Sequence, residues 1–252
     1  MVNHYERAAK AWPILAKTSN RKELITYKQL SDMIGVHWRT ARYYLEVIQK
    51  YCIEMNFPPL TILVVDRNGV QGTGFIACER DNIEDEKQRV YRFDWLGMDN
   101  PFNFSLEGLN INDLIDKVLK NPNESKNVYS IIKDRGMAQI MFRATLMRVY
   151  QGKCAVCGNS IEELLEACHI IPWAKCNNEQ KIDPRNGILL CRNHHRMFDA
   201  ELMRINEAGK IIFDNKVLNN HSYKYLHSEI QLNGNGINMP IKKEWKPTFQ
   251  SK

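Results

Sequence analysis

The sequence predicts an α+β chain built as two units. An N-terminal winged helix-turn-helix-like domain precedes a C-terminal domain of two strands and a helix assembled around metal. Three observations carry this. A helix-start signal in "ITYKQLSDMIG" opens a pair of amphipathic stretches near the N-terminus. Two pairs, Cys154-x-x-Cys157 and Cys191-x-x-His194, have the spacing of a closed zinc site. Around the second pair, two short apolar runs and one polar run supply strand, strand and helix.

The length, 252 residues, allows a buried core in one large domain or two modest ones. No apolar run approaches the roughly 20 residues that span a bilayer, so no membrane role is expected. The opening "MVNHYERAAKAW" lacks a signal-peptide pattern, and a cytoplasmic location is expected. A net charge of +6 is compatible with a polyanionic partner. Five of the seven cysteines fall between Cys154 and Cys191. In a reducing compartment that clustering points to metal or catalysis rather than disulfides.

Residues 1–78 form the first expected domain. Thr26 and Gln29 make a T-x-x-Q capping box, Leu30, Met33 and Ile34 an apolar face, and Gly35 a stop. After "VHW", the stretch "RTARYYLEVIQKYC" spaces Ala41, Tyr44, Leu45, Ile48 and Cys52 as one helical face. Arg39, Thr40, Arg42 and Tyr43 lie off that face near the helix start, where a recognition helix presents side chains to DNA. "PLTILVVDRNGVQGTGFIA" reads as a hairpin with its turn at Asn68-Gly69, completing a wing. This run resembles the DNA-binding domain of the alkyltransferase-like proteins. Thr61 to Val64 stand where that family carries its Pro-Cys-His-Arg motif. The resemblance implies DNA binding without alkyl transfer. Residues 79–128, with "MDNPFNF" and "KNPNESKN", read as linker or loop.

Residues 129–252 form the second expected domain, with a core at 150–206. "RGMAQIMFRATLMRVYQ" is a helix with Phe142, Leu146, Val149 and Tyr150 on one side. Cys154, Cys157, Cys191 and His194 give a Cys3His set for structural Zn2+. That leaves His195 outside the set. Between the pairs, His169 sits in the strand-like "LEACHIIPWA" and Asn186 on the turn of "DPRNGILLC". His195 opens the helix "HHRMFDAEL".

His169, Asn186 and His195, in that order, resemble the HNH endonucleases, here as a zinc-stapled, restriction-type ββα-metal version. The likeness covers roughly Gly136 to Asn206, including the lead-in helix. It implies hydrolysis of DNA phosphodiester bonds with a catalytic Mg2+, Mn2+ or similar ion. His169 would be the general base, an imidazole able to take a proton near neutral pH. His195 would be a ligand of the catalytic ion, and Asp199, four residues on, a second ligand or an orienting group. Asn186 would either ligate the ion or pin the loop that orients the base. Many of these nucleases place Asp or His as a metal ligand just before the base. Here Cys168 stands there, a poor partner for Mg2+.

Cys52, Cys78 and Cys176 read as incidental buried thiols, and Trp173 as packing. "ELMRINEAGKIIFD" reads as a hairpin around residues 207–210, and the final twenty residues as a polar tail that lies near phosphates or is disordered. The expected partner is double-stranded DNA. A homodimer would suit a palindromic site. Reader plus cutter suggests restriction or another defence role. The alternatives are a homing or phage-type nicking endonuclease, or an inactive DNA-binding regulator.

Overall fold

The computed structural model describes residues 2–219 and 227–249. They divide into one unit made of Met1–Leu114 and Ile131–Ile140, and a second made of Ile115–Ser130 and Met141–Lys252.

In the first unit, Asn3 caps α1 (His4–Asn20) by accepting from the N–H groups of Tyr5 and Glu6. β1 (Ile25–Thr26) leads into α2 (Tyr27–Met33), whose start is the expected Thr26–Gln29 capping box. Leu30 is buried there, whereas Met33 is 63% exposed and lies off the core face. A 3-10 turn at Trp38–Thr40 precedes α3 (Ala41–Glu54). Ala41, Tyr44, Leu45, Ile48 and Cys52 are all buried, as their spacing predicts. A buried Ser31–Tyr44 hydrogen bond of 3.0 Å ties α2 to α3.

The expected wing does not form. Leu60–Leu63 is a buried 3-10 turn, and β2 (Val64–Val65) pairs in parallel with β1, not with the residues that follow Gly69. The Asn68-Gly69 turn is present, closed by Gly69 N–H to Asp66 O. Beyond it, side chains take the place of a partner strand. Gln49 donates to Gly74 O and accepts from Ile76 N–H, and Tyr27 Oη accepts from Gly72 N–H.

Residues 79–128, expected as linker, hold structure. α4 (Ile83–Arg92) buries Val90, and the irregular chain after it delivers Trp95 and Phe102 to the core. There Trp12 meets Tyr51, Trp95 and Phe102 edge-on, with ring centroids 5.6, 5.6 and 5.7 Å apart. These apolar residues have no regular spacing, so neither a helical nor a strand period flagged them.

α5 (Ile111–Lys120), α6 (Ser125–Ile132) and α7 (Arg135–Val149) lead into the second unit. Its centre is an antiparallel pair, β3 (Leu165–His169) and β4 (Gly187–Cys191), with Leu165 opposite Cys191 and His169 opposite Gly187. α8 (Arg192–Asp199) follows β4 directly. Phe142, Leu146, Val149 and Tyr150 pack against this pair from α7, as their spacing predicts. A Cβ at Gly187 would lie 2.6 Å from Phe142 and 2.7 Å from Leu146. Glycine is what lets strand and helix approach this closely.

β5 (Met203–Ile205) and β6 (Ile211–Phe213) form the expected hairpin. α9 (Asn215–Leu218) and α10 (His227–Ile230) flank the residues outside the description. The tail is ordered as far as it is described. Asn238 N–H bonds Ala155 O, Thr248 N–H bonds Arg185 O, Trp245 Nε1 bonds Leu119 O, and Phe249 is buried.

Candidate active site

All groups of this site belong to the second unit. The first cluster begins at the end of α7. The chain turns through Gly152 (φ 63°) and places Cys154, Cys157 and then Gly158 (φ 73°) in a tight knuckle, closed by Gly158 N–H to Cys154 O at 2.9 Å. Both glycines occupy left-handed backbone, where a Cβ is strained. Ala155 N–H bonds Leu189 O at 2.8 Å, docking the knuckle on β4. Cys191 ends β4, and His194 lies one turn into α8, 4% exposed.

The donors converge. Cys157 Sγ is 3.9 Å from Cys191 Sγ, and His194 Nδ1 is 3.1 Å from Cys191 Sγ and 3.6 Å from Cys154 Sγ. A tetrahedral Zn2+ with Zn–S bonds of about 2.3 Å has S–S edges of about 3.8 Å. Burial opposes ionisation of Cys154, but His194 and nearby backbone N–H groups outweigh it and lower its pKa. Burial, reinforced by the charge on Cys154, raises that of Cys157. Three crowded sulfurs can all ionise only around a cation. Among the described residues His194 Nε2 is buried without a hydrogen-bond partner, so Nδ1 is the ring atom that the cluster uses. The four residues therefore fit one divalent ion.

The second cluster lies between β3 and α8. Alternate residues of a strand share a face, so Glu166 and Cys168 point the same way. Glu166 Oε2 accepts from His195 Nδ1 at 2.7 Å, and Oε1 accepts from Arg192 Nε at 2.9 Å. Burial pushes against ionisation of Glu166, but these two partners outweigh it and hold its carboxyl below the ordinary range. With Nδ1 engaged, His195 turns Nε2 towards Asp199 Oδ2, 3.5 Å away. Cys168, His195 and Asp199 each bring one donor atom within 4.8 Å of the others. Cys168 stands at a metal-ligand position of the resembled family, where a thiolate is a poor partner for Mg2+, whereas Glu166 is not among the residues expected at the site from the sequence. The signal available was the E-x-C pattern on one strand face, which has meaning only once the face towards α8 is known.

His169 ends β3. Its ring stacks on Phe142, centroids 3.9 Å apart at 17°, and meets Trp173 edge-on at 5.6 Å. Nε2 is 3.0 Å from Lys181 O and so donates to it, which leaves the lone pair of the neutral ring on Nδ1. Burial lowers the His169 pKa, and the charge on His195 adds to this.

Asn186 is 6% exposed and spans the loop between β3 and β4. Its Oδ1 accepts from Ile171 N–H at 2.8 Å, and its Nδ2 donates to Gln180 O at 3.0 Å. Both ends of the amide are thus committed to the loop. Of the two roles left open, the contacts are those of a pin. Cys176 is half-buried rather than incidental: its Sγ accepts from Asn186 Nδ2 at 3.2 Å.

In the first unit, Arg39, Arg42 and Tyr43 are exposed and Thr40 is half-buried at the start of α3. Arg42 lies over the Tyr43 ring at 4.4 Å and Arg39 over Trp38 at 5.4 Å. Trp38, Arg39 and Arg42 also line a cavity of about 380 Å³, with Tyr27, Glu46 and Phe75. No described helix is long and apolar enough to cross a membrane.

Among curated proteins, none matches this chain. At the level of families, residues 154–206, which run from the first knuckle cysteine through β3, β4, α8 and β5, match the model of HNH_2, HNH endonuclease.

Proposed function

We propose that this chain is a metal-dependent DNA endonuclease of HNH type, serving restriction or another defence role, with α2 and α3 reading DNA. The observation that carries the reading is His169. Its Nε2 is committed to a backbone carbonyl, its ring is fixed against Phe142, and its Nδ1 is left with a lone pair. Phosphodiester hydrolysis needs a group that takes a proton from the attacking water, and Nδ1 can do so. Asn186 keeps the loop that supplies the Lys181 carbonyl in place, so the base keeps its tautomer. Glu166 does the equivalent for His195. A divalent ion held by His195 and Asp199, with Cys168 beside them, would stabilise charge on the phosphate oxygens as a Lewis acid. Cys154, Cys157, Cys191 and His194 would hold a structural Zn2+. The exposed Arg39, Arg42 and Tyr43, with Thr40, supply the hydrogen-bonding and cationic chemistry of a DNA-contacting helix start.

The test is cleavage of supercoiled plasmid, with modified and unmodified DNA, in Mg2+, Mn2+, Co2+ or Zn2+. The wild-type chain is expected to cut. His169→Ala is expected to stay folded and lose about 10²–10⁴-fold in rate. No cutting of any DNA with any ion overturns the nuclease reading. Undiminished cutting by His169→Ala removes the proposed base. Repeated double-strand cuts at a short motif support restriction, whereas a single nick at one long site supports a homing or phage type instead.

A further inference from the structure

We propose that the ion site between β3 and α8 is built for a thiophilic divalent ion, with Cys168 Sγ as a direct ligand beside His195 and Asp199. Its catalytic role rests on the nuclease reading above, but its ligand chemistry does not.

The register places the sulfur. Cys168 shares its strand face with Glu166, and Glu166 is bonded to His195, so this face looks onto α8. Cys168 is 1% exposed, and its thiol makes a weak polar contact, 3.8 Å to the carbonyl of its own neighbour His169. A cysteine that only filled the core would face apolar groups alone. This one faces an imidazole nitrogen and a carboxylate oxygen, all three donors within 4.8 Å of one another.

The donor set decides the class of ion. Sulfur, imidazole nitrogen and one carboxylate oxygen suit Zn2+, Co2+ or Cd2+, whereas Mg2+ demands oxygen ligands and keeps much of its water. Three protein ligands also leave positions open, as an ion that acts on substrate requires. Asp199, with its side chain 53% exposed, marks the solvent side of the cluster. The Cys3His cluster, although its Cys157 is exposed, supplies four donors and so leaves no coordination position open, and the two sites would therefore differ in exchange as well as in donors.

The experiment uses the full chain, stripped of metal and reloaded with Co2+. Two ions per chain are expected, both giving thiolate-to-cobalt charge-transfer absorbance. Cys168→Ser should lose about a quarter of that absorbance, one thiolate of four, and bind its second ion at least tenfold more weakly. His195→Ala should lose the second ion and keep the first. A large excess of Mg2+ should not displace the second Co2+. The proposal is overturned if Cys168→Ser leaves both absorbance and stoichiometry unchanged, or if Mg2+ displaces the second ion readily. Should Cys168→Ser not fold, 113Cd NMR of the wild-type chain decides. Two sulfur-ligated resonances support the proposal. A second resonance in the oxygen-ligated range, or none, overturns it. None of these readouts depends on cleavage, so loss of the nuclease reading in the plasmid assay leaves this result interpretable.

Discussion

Glu166 shows how much of this site is arranged by a residue that would touch neither metal nor substrate. Its carboxylate accepts from His195 and from Arg192, and its contact with Nδ1 decides which nitrogen of His195 is free. Glu166→Gln keeps the size but can present its amide either way round. We expect about 10–100-fold weaker binding at the second ion site and a matching loss of cleavage. The zinc cluster and the melting temperature should be unchanged. Ion titration beside a thermal melt checks this, and a fall in melting temperature without a change in ion affinity would reduce Glu166 to a structural role. His194 and His195 make the same point about direction. Consecutive residues near a helix start diverge by about 100°. His194 is turned inward to the three sulfurs, and His195 towards Glu166, Asp199 and Cys168.

At the scale of elements, the β3–β4–α8 unit works because a strand and a helix lie unusually close. Gly187 faces His169 across the ladder and leaves no room for a Cβ beside Phe142 and Leu146. Phe142 can therefore stack on the His169 ring. Gly187→Ala is expected to cost about 1–3 kcal/mol of stability through overpacking and to displace the His169 ring. A denaturant melt gives the first, and the cleavage rate gives the second. An unchanged midpoint would mean that α7 moves freely away from β4. The same scale separates what patterning can and cannot announce. The capping box at Thr26 and Gln29, the apolar face of α3, the packing side of α7 and the β5–β6 hairpin all follow from local periodicity and turn chemistry. Local patterning favours a wing that does not form, because "TILVV" looks like a strand seeking its neighbour in sequence. Its last two residues pair instead with Ile25–Thr26, and Gln49 satisfies the backbone that a second strand would have covered.

For the molecule as a whole, the two units have different sources of stability. The first packs Trp12, Tyr51, Trp95 and Phe102 edge to face, and both groups of clustered metal donors found among the described residues lie in the second. In the second, the Cys154 knuckle, the end of β4 and the start of α8 meet at the Cys3His cluster at the edge of an apolar core, where an ion would crosslink these three segments. Removing metal with a strong chelator is thus expected to unfold the second unit and leave the first folded. Two separated calorimetric transitions, of which the lower disappears or shifts far down on chelation, are the sign to look for. A single transition unaffected by chelation would mean that the cluster binds no structural ion.

The sequence by itself determined the elements whose information is local: helix starts, the C-x-x-C and C-x-x-H spacings, and the order His169, Asn186, His195. Ligands three apart on a turn or a helix start are near one another in any fold, so spacing alone could announce them. Only the tertiary structure decided what the distant partners do. It set Glu166 and Cys168 against α8, committed the Asn186 amide to the loop, drew residues 79–114 into the first unit's core and tied the described part of the tail, up to Phe249, to the second unit. These depend on strand register and on the packing of elements far apart in the chain, and a one-residue slip of β3 would turn every one of its side chains to the other face.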